Sequence, residues 1–283
     1  MNKILGRNIL MALTLLFTFH MHAQPIKLMT YNIRLDVASD GEDDWAHRRD
    51  FLVSQIKFYE PDILGIQEGL PHQVLFLEKK LGEYNREGIG REGIEKGESS
   101  AIFYNWMKFS AEQSHTFWLS PTPDSISMGW DAACLRVCTA VLFKDKKTKQ
   151  RFWVFNTHLD HMGEIARVKG VELILAKIKT FNTQKLPVIF MGDLNATPES
   201  TVVARLKTEL DDTRLRSTID PLGPEGTFNG FKFGEPRPKR IDYIFVSREP
   251  AISVKKYAIL DDSKHQRYPS DHFPVFVEIS LQK

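Results

Sequence analysis

The chain has 283 residues, 42% of them hydrophobic and 26% charged, with 17 Gly and 14 Pro; that composition supports a real core and is not that of a disordered or collagen-like polymer. Lys and Arg number 38 against 36 Asp and Glu, a balance without the electrostatic footprint of a nucleic-acid binder. Two cysteines cannot staple a chain that is long enough for one large domain or two small ones.

Lys3 and Arg7 precede an almost unbroken apolar stretch from Ile9 to Phe19, followed by His22-Ala23-Gln24. This layout predicts a signal peptide over residues 1–23. The apolar stretch is about half of the ~20 residues that a spanning helix needs, which disfavours the competing reading as a retained anchor. The expected mature protein, residues 24–283, is exported, periplasmic or secreted, with no stable membrane insertion after cleavage. Removing residues 1–23 takes away two cations and no acid, so its formal net charge is zero.

Strand and helix patterns then alternate along the chain. Ile26 to Ile33 reads as a strand, and Ala46 to Phe58 spaces Phe51, Leu52 and Ile56 as a helix. Asp62 to Ile66 is a short buried strand, and Pro71 to Leu81 a helix with Pro at a permitted early position. Strand-like runs follow at Ala101 to Tyr104, His115 to Leu119, Val137 to Phe143 and Phe152 to Thr157. Cys134 and Cys138 enter the third of these runs. Residues four apart on a strand lie ~13 Å apart, outside disulfide reach, so two free thiols are expected. Gly163 to Phe181 places Ile165, Val168, Val171, Leu175 and Ile178 on one helical face. Val188 to Met191 is a strand, Glu199 to Leu206 a helix, and strands return at Ile241 to Val246 and Phe273 to Ile279. The mixture describes an α/β protein, one domain over residues 24–283.

Chemistry concentrates where apolar runs meet polar residues: Tyr31-Asn32-Ile33, Gln67-Glu68-Gly69, Asn156-Thr157-His158, Gly192-Asp193-Leu194-Asn195, Ile241-Asp242-Tyr243 and Ser270-Asp271-His272. Strand-end loops hold binding and catalytic groups on a rigid support. Together these residues supply oxygen ligands, two histidines and a paired Asp/Asn. A hard cation such as Mg²⁺ or Mn²⁺ takes carboxylate and amide oxygens plus waters, and metal-assisted hydrolysis of a phosphate ester needs such a set.

In their order along the chain these six motifs resemble the endonuclease/exonuclease/phosphatase superfamily, of which deoxyribonuclease I and the nocturnin-type deadenylases are members. The central stretch Phe117 to Asp124, Gly129-Trp130-Asp131 and Leu135-Arg136 is similar to a bacterial branch grouped with the deadenylase-like members. The resemblance implies a four-layer sandwich, two packed mixed β-sheets flanked by helices, with the site at one rim. It implies Glu68 as the main metal carboxylate, with Asn32 and Asp271 contributing directly or through waters. It implies Asp193 as the residue that positions or deprotonates the attacking water and Asn195 as the one that orients it. His158 and His272 would contact the scissile phosphate as cationic imidazoles, with Asp242 orienting His272.

Further assignments keep two readings each. Glu98 is a partner for His158 or a solvated loop acid; Arg136 is a phosphate clamp or a strand-edge ion pair. Trp45, Trp118 and Trp130 are stacking platforms for a base or sugar, or core and rim residues. Arg34, Arg48 and Arg167 are candidates for substrate contacts. The leading expectation is a monomeric, Mg²⁺- or Mn²⁺-dependent phosphodiesterase with a nuclease-like site acting on a phosphate ester such as a nucleic acid, as a 3′-to-5′ exonuclease if the deadenylase likeness extends that far. The alternative is a phosphomonoesterase or phospholipid diesterase acting on sugar, inositol or sphingolipid head-group phosphates.

Overall fold

The computed structural model describes residues 25–250 and 252–282; the expected signal peptide, residues 1–23, lies outside them. Among the described residues no helix is long and apolar enough to cross a membrane.

Strand β1 (Ile26–Asn32) leads through a 3-10 turn into α1 (Trp45–Tyr59), β2 (Ile63–Gln67), α2 (Pro71–Lys80), β3 (Tyr84–Glu87) and β4 (Ile102–Asn105). Strands β5 (Phe109–Trp118), β6 (Val137–Asp145) and β7 (Arg151–His158) follow, then α3 (Glu164–Phe181), β8 (Val188–Asp193), α4 (Thr201–Leu206), β9 (Leu210–Asp212) and α5 (Thr213–Arg216). The chain ends in β10 (Asp242–Ser247), β11 (Ile252–Ile259) and β12 (Val275–Leu281). One sheet has the order β11-β12-β1-β2-β4-β3, the other β5-β6-β7-β8-β10-β9. Each pairs two parallel strands at its centre, β1 with β2 and β7 with β8, inside an otherwise antiparallel arrangement.

Strand alternation builds the layers, because successive side chains point to opposite faces. In β1, Ile26 and Leu28 turn toward the second sheet and pack with Val154, Ile189, Met191 and Ile244. Met29, Tyr31 and Ile33 turn the other way, onto Leu52 and Ile56 of α1 and Val74 and Leu77 of α2. The second sheet does the same, with Trp153, Phe155, Phe190 and Phe245 against Val171, Leu175 and Val203 of its helices. The result is the expected four layers.

Polar groups enter the inter-sheet space only toward one end. Asn156 donates to the carbonyls of Ile66 and Ala101, both at 2.9 Å, and accepts from Gln67 at 2.7 Å, so one buried amide ties the two sheets together. Gly65 makes room for it: a Cβ there would lie 2.8 Å from Asn156 Cγ.

Several elements depart from the sequence expectation, the short helix α5 among them. β5 starts at Phe109 rather than His115, and β3, β9 and β11 are additional. The first half of β5 and β3 carry exposed or half-exposed polar residues at sheet edges, so they lack an apolar signature. β11 is interrupted at Lys255-Lys256, beside a register shift between Val254 and Lys256. Both cysteines are free thiols, as expected.

Candidate active site

Strand register assembles the site. In the second sheet His158 pairs with Asp193 across the parallel β7–β8 ladder, and Asp193 pairs with Asp242 across the antiparallel β8–β10 ladder. One row of three adjacent strands thus carries His158, Asp193 and Asp242. In the first sheet Asn32 pairs with Gln67, and Glu68 follows directly. Both rows continue the alternating positions that face the inter-sheet core, so the site is the end of that core, where the apolar residues stop. Gly192 permits the close approach of β7: its φ is +143°, and a Cβ would fall 1.9 Å from the Thr157 carbonyl oxygen.

Asn32 spans the two sheets. Its Nδ2 donates to Glu68 Oε1 and to Asp193 Oδ2, each at 2.9 Å, while its Oδ1 accepts from the Arg34 amide at 3.0 Å. In this arrangement Asn32 links two carboxylates rather than turning its oxygen toward a cation. The second Glu68 oxygen accepts from the Leu35 amide at 3.0 Å. Glu68 and Asn195 both have left-handed backbones, φ +63° and +46°, conformations that non-glycine residues adopt mainly where the surroundings enforce them. Asp193 Oδ1 accepts from the Asn195 amide at 2.9 Å.

The pKa values of the two histidines move in opposite directions. Burial disfavours the His272 cation, but the Asp242 and Asp193 carboxylates outweigh it and raise its pKa well above the ordinary value. His272 Nδ1 donates to Asp242 Oδ2 at 2.9 Å, and its Nε2 lies 3.9 Å from Asp193 Oδ2. His158 goes the other way. Burial, together with the Arg136 and His272 charges, pushes its pKa far down, which disfavours the expected cationic form. The Asn195 side-chain amide lies 3.0 Å from His158 Nε2, and Asp193 Oδ2 lies 3.4 Å from the same nitrogen.

The site carries surplus negative charge. Glu68, His158 and Asp193 each bring a ligand atom within 4.8 Å of the others, as do Asp193, Asp242 and His272. Burial and then the Asp242 charge push the Asp193 carboxyl up to about 7. Burial also raises Asp271, with Glu68 adding to it against the pull of His272. Arg34 lies 3.8 Å from Asp271 but is committed to Asp40 through two 2.9 Å hydrogen bonds. Among the described residues no Lys or Arg nitrogen lies within 4.0 Å of a Glu68 oxygen. Crowded carboxylates with so little compensation could hold a hard divalent cation, Glu68 and Asp193 each lying in a cluster of the right dimensions.

The outlying candidates separate clearly. Glu98 does not reach His158: it pairs with Arg91 at 2.7 Å, and His158 Nδ1 has no hydrogen-bond partner among the described residues. Arg136 borders the same small cleft as Glu68, Glu98 and His158, yet its guanidinium is buried and held by Asp160 at 3.5 Å and His161 at 3.1 Å. Asp160 and His161 therefore fix this arginine. Trp45 is core beneath α1, and Trp118 is buried with its indole N–H on the Arg91 carbonyl at 2.7 Å. Trp130, 38% exposed, does not line that cleft. Arg48 is buried, donating to the main-chain carbonyls of Arg34 and Asp43 at 2.6 and 2.9 Å and also to that of Ile33; it is a clamp on the β1 loop and unavailable to substrate. Arg167 likewise donates to the Asp160 carbonyl at 2.9 Å.

Other supporting residues were invisible in the sequence. Buried Asn229 donates from its side chain to the Ser270 carbonyl at 3.0 Å and from its amide to the Asp271 carbonyl at 2.8 Å, holding the Asp271-His272 segment. Ser270 donates to the Asn32 carbonyl at 2.7 Å. Thr227 accepts from the Asp242 amide at 3.1 Å. The Thr-Phe-Asn-Gly run at 227–230, a turn-forming cluster, was the one local signal that could have drawn attention to this loop.

Residues 29–272 match the model of the endonuclease/exonuclease/phosphatase family, and the chain belongs to that family. It is 37% identical to a protein of the same family from Bacteroides thetaiotaomicron, with a TM-score of 0.87 over 92% of this chain and 100% of that one. It is also 37% identical to a mannosyl-6-phosphatase from Bacteroides thetaiotaomicron, with a TM-score of 0.86 over 90% of this chain and 100% of the phosphatase. Rat nocturnin is 23% identical over 92% of this chain, which spans 66% of nocturnin's length.

Proposed function

We propose that the protein is an exported, divalent-metal-dependent phosphomonoesterase whose substrates are small phosphorylated sugars. The observation that carries this reading is the pairing of the arginines around the site. Arg34 is bound to Asp40, Arg91 to Glu98, Arg136 to Asp160, Arg240 to Asp212 and Arg267 to Glu42 and Asp43. A polynucleotide needs a track of available cations that meets successive phosphates; these five side chains provide none, and Arg237, which has no carboxylate partner among the described residues, is a single cation rather than a track. The 37% identity to a mannosyl-6-phosphatase supports the same substrate class. Phosphodiester hydrolysis, favoured by sequence, becomes the second reading, supported by the likeness to nocturnin.

Hydrolysis follows from the charges. Protonated His272 presents Nε2–H to a phosphoryl oxygen while Asp242 holds Nδ1, so the cation is fixed where negative charge develops. Asp193 takes the proton of the attacking water, and the Asn195 amide on Oδ1 fixes the carboxylate plane. His158 Nε2, 3.0 Å from the Asn195 side-chain amide, holds it in place. A divalent cation at Glu68 and Asp271 would neutralise phosphoryl oxygens and orient the ester.

Purified residues 24–283, assayed with Mg²⁺ or Mn²⁺ and with chelator, should release inorganic phosphate from hexose 6-phosphates. An Asp193→Asn control should abolish the release. Shortening of RNA or DNA without phosphate release from any sugar phosphate would replace this reading with the nuclease one.

A further inference from the structure

All four central strands, β1, β2, β7 and β8, end at the site. β4 runs antiparallel to β2 and β6 antiparallel to β7, so the turns after β4 and β6 lie at the opposite pole. The first turn exposes Trp106 (43%) and Met107 (60%). The second exposes Lys146, Lys147 and Lys149. They form one surface: the Lys146 amide donates to the Lys108 carbonyl at 2.9 Å, and the Lys146 ammonium sits 5.8 Å from the Trp106 ring centroid. Among the described residues no carboxylate lies within 4.0 Å of Lys146, Lys147 or Lys149. The nearby Asp145 carboxylate accepts from the turn amides of Lys147 and Thr148, both at 2.7 Å.

We propose that this pole is a docking surface for an anionic phospholipid bilayer, held by the three lysines and seated by Trp106 and Met107. Tryptophan prefers the bilayer interface, where its ring is apolar and its N–H stays wet, and lysines beside it reach anionic headgroups. A bilayer at this pole leaves the catalytic rim pointing into solvent. The contact is peripheral and independent of the catalytic reading.

Residues 24–283 contain every strand, helix and core cluster described, so that stretch is the folding unit to test, free of the apolar leader. Co-sedimentation would use phosphatidylcholine vesicles with and without about a quarter phosphatidylglycerol. Retention is expected only on the anionic vesicles, with release at high salt. Each lysine near an anionic surface contributes about five-fold in affinity, so Lys146→Gln/Lys147→Gln/Lys149→Gln should weaken retention on the order of a hundred-fold. Hydrolysis of a soluble phosphate ester should not change. Trp106→Ala with Met107→Ser should weaken retention while leaving its salt dependence. Equal retention on neutral vesicles, an unaffected triple variant, or retention on an anionic polysaccharide or RNA but not on vesicles would each overturn the proposal.

Discussion

His272 is cationic because Asp242 is within hydrogen-bond reach, and the same carboxylate helps raise Asp193. The two groups bound the pH range of activity. Asp193 must be ionised to accept a proton, so the rate should rise through about pH 7. His272 must stay protonated, so the rate should fall once pH passes its raised pKa. Asp242→Asn removes the charge that lifts both, and the whole bell should move toward acid; a rate profile with unmoved limbs would refute this coupling. His272→Ala and Asp193→Asn should each lower kcat by ~10²-fold or more with folding intact. All the residues of the Asp193 and His272 clusters were legible from sequence, because each sits where an apolar strand closes on a polar group. Asn229 was not, and Arg48 was picked out only as a substrate contact, not as a clamp. They act through main-chain carbonyls 41 and 15 residues away, and such contacts leave no local spacing to read. The Glu98 partnership failed for a related reason: sequence places an acid near the site but cannot show that Arg91 is nearer.

At the scale of elements, the seam between the sheets depends on Asn156. Replacing it with Leu removes the side-chain donor from the Ile66 and Ala101 carbonyls and one acceptor from Gln67, while Ala101 keeps the Ile66 amide and Gln67 keeps Thr30. An unsatisfied buried group costs about 1–3 kcal/mol. A loss of about 1–3 kcal/mol is therefore expected for Asn156→Leu, read as a lower urea midpoint at unchanged slope. Activity should fall as well, since Glu68 follows Gln67 directly. The central strands were readable because β1, β2, β7, β8 and β10 are almost continuously buried. Edge strands such as β3 are half exposed and keep a mixed polarity, which pattern reading assigns to loops. The pairing of parallel and antiparallel neighbours also lies beyond periodicity, and the layer order was available only through family likeness.

For the molecule as a whole, the crowded carboxylates predict a stability that rises with bound metal. Without a cation Glu68 and Asp271 repel one another; a cation bound by the folded state alone stabilises it by about 2.7 kcal/mol at a hundred times its Kd. Thermal unfolding with Mg²⁺ or Mn²⁺ and then with chelator should show this shift. Glu68→Gln should be insensitive to added metal; an equal shift in both proteins would place the cation elsewhere. The strand order carries a consequence for synthesis. β1 is the first strand made, but its neighbour on one side is β12, the last. Until that strand arrives, β1 presents a bare hydrogen-bonding edge, and Asp271 and His272, which lie just before β12, arrive with it. A chain emerging from a ribosome therefore has an incomplete site and one open sheet until β12 is through.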